Sequence, residues 1–294
     1  MVIVRLTGGL GNQMFQYAAG RALADRLGAE LLLDTRALEH ALALNAYTRR
    51  AYALSPFKLR AKLATAAELR DWPVWVVEIG LRLRFVRPLF RRWYFESGIT
   101  YDPIISTLRE PVCLVGYWQS ERYFNDNSDH IRADFALARP MSDDNSRLLE
   151  LARCGGSVGV HVRRGDFASL DDAAQVHGLC SIDYYRRAIS LVREHCPECR
   201  FLVFSDDLEW ARAELPLDAS AVFVNGNAET PEQDLALMSA CKHHIIANSS
   251  FSWWAGWLGY SPEQIVIAPA PWYASPKLDA RDLAVSRWQY IGRV

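Results

Sequence analysis

The first 34 residues follow a strand–helix–strand pattern, and this pattern limits the fold more than any other feature of the sequence. Residues 2–6 (VIVRL) are apolar enough for a buried strand, and apolar side chains then recur at helical spacing from 12 to 27. Gly28 ends that helix, and residues 30–33 predict a second strand closed by Asp34. A βαβ unit requires a parallel sheet with helices packed on it, so we predict an α/β fold.

A second series of the same kind fills the carboxyl-terminal half and begins after Gly155-Gly156. Helical segments separate its apolar runs, and these runs predict strands at 158–162, 201–204, 221–224, 244–247 and 265–268. Residues 35–110 are less regular. We therefore predict two Rossmann-like α/β domains, 1–155 and 156–294, that face each other across a ligand-binding cleft.

The composition excludes several classes of protein. The net charge of -1 argues against a nucleic-acid-binding protein that relies on a strong positive field. The amino terminus lacks the charged and apolar regions of a signal peptide, and no window of about 20 residues is apolar enough to span a bilayer. We therefore expect a soluble cytoplasmic protein whose six cysteines are reduced.

A glycine loop (GGLGNQ, residues 8–13) joins the first strand to the first helix. Such a loop lets a ligand approach the backbone, and the amides of Asn12 and Gln13 can bind hydroxyls or bridging oxygens. A Rossmann dinucleotide site is one alternative, because Asp34 ends the second strand, although Met14 stands where that motif needs its third glycine. A purely structural turn is the other alternative.

The run VGVHVRRGD (residues 158–166) is the strongest candidate for a binding site. Strand alternation places His161 and Arg163 on the same face, at the strand end where open α/β sheets bind ligands. Two guanidinium groups there are costly unless an anion receives them, and a diphosphate matches both Arg163 and Arg164. An internal ion pair between Arg164 and Asp166 is the alternative.

Two further predicted strands end in polar groups. The strand at 201–204 ends in Ser-Asp-Asp, where a carboxylate can accept two hydrogen bonds from a guanine or cap the following helix. The strand at 244–247 leads into Asn-Ser-Ser and a helix, which is a natural phosphate cradle. Together the three strand ends predict a nucleotide-diphosphate pocket.

The runs GGLGNQMFQYA, HVRRGDF, HGLCSIDYY and LMSACKHHIIANSSFSWWAGWL together resemble the α-1,2-fucosyltransferases of glycosyltransferase family 11. The resemblance covers most of the chain and is weakest over residues 35–110. It implies a GT-B-like fold with residues 1–155 on the acceptor side and residues 156–294 binding GDP-fucose. It also implies an inverting transfer of L-fucose to a sugar hydroxyl, the 2-OH of a galactose, without a metal or a cofactor.

The resemblance also implies roles for single residues. Arg163 would hold the β-phosphate of GDP, and Arg164 would support that charge or brace the loop. The other implied contacts are His161 and Asp206 to the guanine, Ser249, Ser250 and Gly11 to the donor, and Asn12 to the glycosidic oxygen or the fucose. Asp166 and His177 are candidates for the general base, and water is a third.

Three hypotheses stay open beside this interpretation. The Arg-rich stretch 81–94 is suited to an anionic membrane surface that carries a lipid-linked acceptor, and a solvated helix face is the alternative. The activity alternatives are a Rossmann-type NAD(P)-dependent oxidoreductase and a nucleotide-sugar-binding protein without activity. We expect GDP-fucose and a galactose-containing glycan as partners, and no nucleic acid.

Overall fold

The computed structural model describes residues 1–39, 51–165 and 175–294, which form two compact units. The first unit comprises Met1–Ala138 and Arg281–Leu283, and the second comprises Arg139–Ala280 and Ala284–Val294. Each unit contains one sheet in which neighbouring strands are parallel. The predicted fold class, two Rossmann-like α/β units, is therefore confirmed.

Five parallel strands form the sheet of the first unit. They are β1 (Val2–Arg5), β2 (Leu31–Asp34), β3 (Lys62–Leu63), β4 (Trp93–Phe95) and β5 (Val112–Val115). Their order across the sheet is β3-β2-β1-β5-β4. The two strands in contact at the centre, β1 and β5, are therefore far apart in the sequence, with Val2 opposite Val112.

Helices pack on both faces of this sheet. The helices of the first unit are α1 (Leu10–Leu27), α2 (Arg36–Glu39), α3 (Val74–Arg82) and α4 (Ser128–Asp134). Val4 packs against Gly20 of α1, whereas Ile3 lies in a core cluster with Val76 and Val77 of α3. Successive residues of β1 are thus buried on opposite faces, which explains why Val2, Ile3 and Val4 are all apolar rather than alternating with polar residues.

Six parallel strands form the sheet of the second unit. They are β6 (Ser157–Val162), β7 (Arg200–Ser205), β8 (Val222–Phe223), β9 (His243–Ile245), β10 (Val266–Ala270) and β11 (Gln289–Gly292). Their order, β11-β10-β9-β6-β7-β8, is that of a Rossmann domain, in which the unit's first and fourth strands lie side by side. The sequence predicts β10 as the last strand and gives no sign of β11, because this edge strand is only partly buried and carries a weak apolar pattern.

The helices of the second unit follow the predicted pattern. Among the described residues they include α5 (Asp143–Arg153), α6 (Ile182–His195), α7 (Leu208–Glu214), α8 (Pro231–Ser239) and α9 (Ser250–Leu258). Pro231 occupies the first turn of α8, and Thr230 precedes it at the N-cap. Thr230 makes no side-chain cap, and Gln233 Oε1 instead accepts a hydrogen bond of 2.6 Å from Asn145 Nδ2.

The compact units divide between Ala138 and Arg139, so that α5 lies in the second unit. The buried Asn145 of α5 explains this, because its Nδ2 also donates to Asn227 Oδ1 at 2.8 Å. The sequence shows its clearest break later, at Gly155-Gly156. The assignment of residues 1–155 to the acceptor and residues 156–294 to the donor stays a prediction.

Candidate functional site

The carboxyl ends of β9, β6 and β7 lie next to one another in the middle of the second sheet. The chain leaves β6 towards β7 and β8, and later returns to β9 on the other side, so the direction of winding reverses between β6 and β9. Open α/β sheets bind ligands at this point, which we call the second-unit switch point. The structure therefore brings together the three strand ends that the sequence analysis selected.

Arg163 follows β6 directly and forms an ion pair with Asp206, which follows β7. Arg163 Nη1 lies 2.7 Å from Asp206 Oδ2, and the Arg164 backbone N–H donates to Asp206 Oδ1 at 2.8 Å. The strand register causes this contact, because Val162 stands opposite Ser205 and the next residues on each strand are neighbours. The Arg163 side chain remains 27% exposed, so it is held in place and still accessible to an anion.

Arg164 braces the loop, which is one of the two roles that the sequence analysis left open for it. Its Nε lies 3.1 Å from Asp207 Oδ2, and its guanidinium lies 4.2 Å from the ring centroid of Trp210. Asp207 also caps α7 by accepting the Trp210 N–H. A Cβ atom at Gly165 would lie 2.4 Å from Asp206 Oδ2, so only glycine lets the loop pass this close to the carboxylate.

His161 lies beneath this loop and is buried. Its ring centroid lies 5.3 Å from that of Phe251, and its Nδ1 has no hydrogen-bond partner among the described residues. Burial, and secondarily the charge of Arg163, lowers the pKa of His161 to about 3, so the imidazole is neutral near pH 7. A neutral ring beside Arg163 adds no positive charge to the site, and its predicted contact with the guanine stays a prediction.

The polar residues between β9 and α9 differ in what they bind: Asn248 and Ser249 bind the protein itself, and Ser250 stays a candidate for a ligand contact. Asn248 is buried, and its Nδ2 donates to three backbone carbonyl groups at 2.9 to 3.2 Å, so its part in a phosphate cradle is wrong. Ser249 caps α9, with Oγ accepting the Phe251 N–H at 3.3 Å. Ser250 is half-buried and its hydroxyl has no hydrogen-bond partner among the described residues, so it stays the better candidate for a phosphate contact.

The glycine loop precedes α1 in the first unit. Gln13 is fully buried, and its amide binds the carbonyl groups of Gly8 and Ala51 at 2.9 Å and the Ala53 N–H at 3.0 Å. The expectation that Gln13 serves a ligand is therefore wrong, because this side chain joins two loops. Asn12 Oδ1 accepts a hydrogen bond of 2.8 Å from Gln119. The predicted donor contacts of Asn12 and Gly11 stay predictions.

Comparison with known proteins agrees with this geometry. Residues 100–292 match Glycosyl transferase family 11. An Escherichia coli protein named alpha-1,2-colitosyltransferase is 36% identical over 99% of both chains. The chain belongs to glycosyltransferase family 11.

Two further relatives of this glycosyltransferase extend the comparison. The O-antigen biosynthesis glycosyltransferase WbnK of Escherichia coli is 30% identical over 92% of this chain and 94% of its own length. The human galactoside alpha-(1,2)-fucosyltransferase 1 is 27% identical over 85% of this chain and 63% of its own length. The E. coli relatives therefore match the glycosyltransferase over both compact units.

His177 of this glycosyltransferase lies in the same unit as Arg163, and the two side chains interact electrostatically. Burial, and then the charge of Arg163, lowers the pKa of His177 below its ordinary value of 6.5, so the ring is a neutral base near pH 7. Its ring centroid lies 5.6 Å from that of Tyr273. Asp166, the other residue proposed as a base, lies outside the described residues.

Asp34, the residue that suggested a dinucleotide site, forms buried ion pairs in the glycosyltransferase. Its side chain is completely buried, and its two oxygens accept hydrogen bonds of 2.8 and 2.9 Å from Arg36. Arg5 Nη1 lies 3.6 Å away on the neighbouring strand. These contacts leave no room for the ribose contact of a dinucleotide, and family membership removes the oxidoreductase alternative.

Glu96, directly after β4, is a partly buried carboxylate to which the sequence alone assigns no role. Its carboxylate accepts hydrogen bonds from two backbone N–H groups of the loop after β5, those of Tyr117 and Trp118. Burial, opposed by these two bonds, raises the pKa of Glu96 to about 7. No sequence motif marks this residue, because a lone glutamate in the irregular region has no spacing that points to its partners.

Proposed function

We propose that the glycosyltransferase transfers L-fucose from GDP-fucose to the 2-OH of a galactose, with inversion, in the assembly of a glycan such as an O-antigen. The observation that carries this is the accessible Arg163 at the second-unit switch point, where β6 pairs with β9, the strand that leads to Ser250 and α9. Guanidinium and helix N–H groups at one place suit a diphosphate. The names of the fucosyltransferase and O-antigen relatives support the sugar and the linkage.

The chemistry follows from the charge that develops on the leaving group. When the bond between the sugar and GDP breaks, negative charge grows on the β-phosphate. In this proposal Arg163, which the ion pair with Asp206 holds in place, contacts the β-phosphate, so its fixed positive charge stabilises the growing negative charge with little reorganisation. The acceptor hydroxyl attacks the opposite face of the sugar, which gives inversion. The absence of a metal requirement is part of the proposal.

Colitose is the second candidate for the transferred sugar. The relative with 36% identity carries colitosyltransferase in its name. Colitose differs from fucose only by the loss of the 3-hydroxyl group. The choice between the two donors therefore depends on the contact to this one hydroxyl group. A site that hydrogen-bonds the hydroxyl would strongly favour fucose over colitose, whereas an apolar site would discriminate only weakly.

The test is a transfer assay in EDTA with GDP-fucose and GDP-colitose, a galactoside acceptor and its 2-deoxy analogue. We expect GDP release that depends on the galactoside and is lost with the 2-deoxy acceptor. Faster turnover of GDP-colitose would replace fucose as the donor sugar. GDP binding without turnover of either donor, across a panel of galactosides, would favour a binding protein, and activity only after addition of Mg²⁺ would contradict metal independence.

We propose His177 as the general base. We expect His177→Ala to lower kcat by about 100-fold and to leave the Kd for GDP unchanged. Because the base must be neutral, the wild-type rate should have a falling limb below pH 6.5 that follows the lowered pKa of His177, and the variant should lose this limb. Near-normal kcat in both His177→Ala and Asp166→Asn would leave water as the proton acceptor.

We also propose a peripheral contact with an anionic membrane through one surface of the first unit. Six of the ten large apolar side chains exposed among the described residues lie between 75 and 89, with Phe85 at 78% and Leu89 at 76%. The exposed arginines Arg82, Arg84, Arg91 and Arg92 flank them, and none forms an ion pair with a described acidic residue. None of the described helices is long and apolar enough to cross a membrane. This 75–92 surface therefore suits insertion at an interface.

Vesicle sedimentation tests the 75–92 surface. We expect the protein to sediment with phosphatidylglycerol-containing vesicles and not with pure phosphatidylcholine vesicles. Each arginine contributes about 1 kcal/mol near an anionic surface, so Arg82→Gln with Arg91→Gln should weaken binding by about tenfold or more. The matched control, Arg147→Gln with Arg186→Gln, removes two exposed arginines from the second unit and should have no effect. Equal retention by both kinds of vesicle would contradict the proposal.

A further inference from the structure

The loop that follows β5, residues 116–119, contains a strained backbone position. Trp118 has a φ of 58°, in the left-handed region that large side chains rarely adopt, and its side chain is completely buried. The loop lies where the winding of the first sheet reverses between β1 and β5, next to the glycine loop. Strain of this kind persists only where several contacts enforce it, and such places concentrate at functional sites.

Glu96 supplies the first of these contacts. Its Oε2 accepts the Tyr117 N–H at 2.7 Å, and its Oε1 accepts the Trp118 N–H at 2.9 Å. Each carboxylate oxygen thus accepts one backbone N–H, so the two bonds together fix both Tyr117 and Trp118. A Cβ atom at Gly116 would lie 2.4 Å from Glu96 Cβ, so the glycine is what lets the two segments approach.

The other side of the loop is tied to the start of α1. Gln16 Nε2 donates to the Gly116 carbonyl at 3.0 Å, and Gln119 Nε2 donates to Asn12 Oδ1 at 2.8 Å. The second bond determines which way the Asn12 amide faces. Its oxygen is turned to Gln119, which leaves the Nδ2 group on the side of Gly8 as a hydrogen-bond donor.

We propose that Glu96 is a positioning residue of sugar transfer: it fixes the 116–119 loop so that Gln119 orients the Asn12 amide as a donor to the transferred sugar or the glycosidic oxygen. This inference rests on the proposed function, in which Asn12 approaches that oxygen. Glu96 itself does not contact the sugar. It acts through a backbone loop that its carboxylate holds in a conformation the chain would otherwise avoid.

Glu96→Gln tests this role with little change of shape. The new amide keeps one acceptor oxygen but places an NH₂ group against a backbone N–H, so one of the two bonds is lost. We expect kcat/KM with GDP-fucose to fall by about tenfold to 100-fold, because small errors in positioning are costly. The matched control is Glu68→Gln, since Glu68 also accepts a backbone N–H, that of Thr65, but lies on an exposed turn. Its kcat/KM should stay within about twofold of wild type.

A double-mutant cycle with Asn12→Ala separates positioning from general damage. If Glu96 acts through Asn12, Glu96→Gln should lower kcat/KM by less than about twofold in the Asn12→Ala background. Titration with GDP monitors the second unit and should give an unchanged Kd in each variant. Additive losses, or wild-type activity of Glu96→Gln, would overturn the inference. Failure of the proposed function has a different signature, because the wild-type protein would then transfer no sugar from GDP-fucose.

Discussion

Arg163→Ala is expected to weaken GDP binding by about tenfold or more and to slow transfer by about 100-fold or more. The binding loss is that of a charge-assisted contact to phosphate. The rate loss is larger because the charge on the β-phosphate grows as the glycosidic bond breaks, and the guanidinium is positioned for that charge. Calorimetric titration of GDP in EDTA measures the first effect, and initial rates with GDP-fucose measure the second.

Arg193→Ala is the matched control for this prediction. It removes the same charge from the same unit, but Arg193 stacks on Phe201 near the amino end of β7, with 5.3 Å between guanidinium and ring centroid. Arg163 lies at the carboxyl ends of the strands, which is the end of the sheet opposite to Arg193. GDP binding that falls equally in both variants would mean that overall charge matters and that Arg163 forms no specific contact. GDP binding that is indifferent to Arg163 would make its ion pair with Asp206 purely structural.

Asp34→Ala is expected to lower the free energy of unfolding by about 3–5 kcal/mol. Arg5 and Asp34 are 2% and 0% exposed, and no water reaches the carboxylate. Removing it leaves the guanidinium of Arg5 buried without a counter-charge, which costs far more than the pair itself contributes. Urea unfolding followed by circular dichroism measures the change. A loss of this size is a large part of the stability of a typical domain.

Glu30→Ala is the control on the same sheet. Glu30 pairs with Lys62 at the surface, where the side chains are 49% and 75% exposed, so its loss should cost about 0–1 kcal/mol. A similar small loss for Asp34→Ala would show that the buried cluster is dispensable. The contrast also tests the interpretation of Asp34, because a residue kept for a dinucleotide ribose would contribute little to folding.

Polar residues at the ends of apolar strands were the most reliable guide to the site. The runs that lead into Arg163, Asp206 and Ser250 were identified one by one, and the structure places their strands side by side. Parallel strands place their carboxyl ends at the same end of the sheet. Polar residues that follow buried strands therefore lie close together there, which is why these runs predicted the site. The family resemblance, confirmed by comparison, depended on the runs that contain Arg163 and Ser250 together with the glycine loop and residues 177–185.

The sequence does not show which polar side chains of these motifs bind a ligand and which bind the protein itself. Gln13 and Asn248 stand inside the motifs, yet both are buried and bind backbone groups of other loops. Asp206 receives hydrogen bonds from a loop 42 positions away in the sequence. The sequence does not predict the contacts of Glu96, because Tyr117 and Trp118 come close to its carboxylate only when β4 pairs with β5.

The sequence by itself determined the parallel α/β class, the family and the strand ends that carry Arg163 and its neighbours. These depend on local patterns, namely apolar runs of strand length, helical spacing and the residue types that follow each strand. Only the tertiary structure decided the strand order, the pairing of Arg163 with Asp206 and the burial of Asp34. It also decided the two hydrogen bonds by which Glu96 holds the 116–119 loop. The physical reason is that a polar side chain takes whichever partner the fold brings within hydrogen-bonding distance, and that partner is usually remote in the chain.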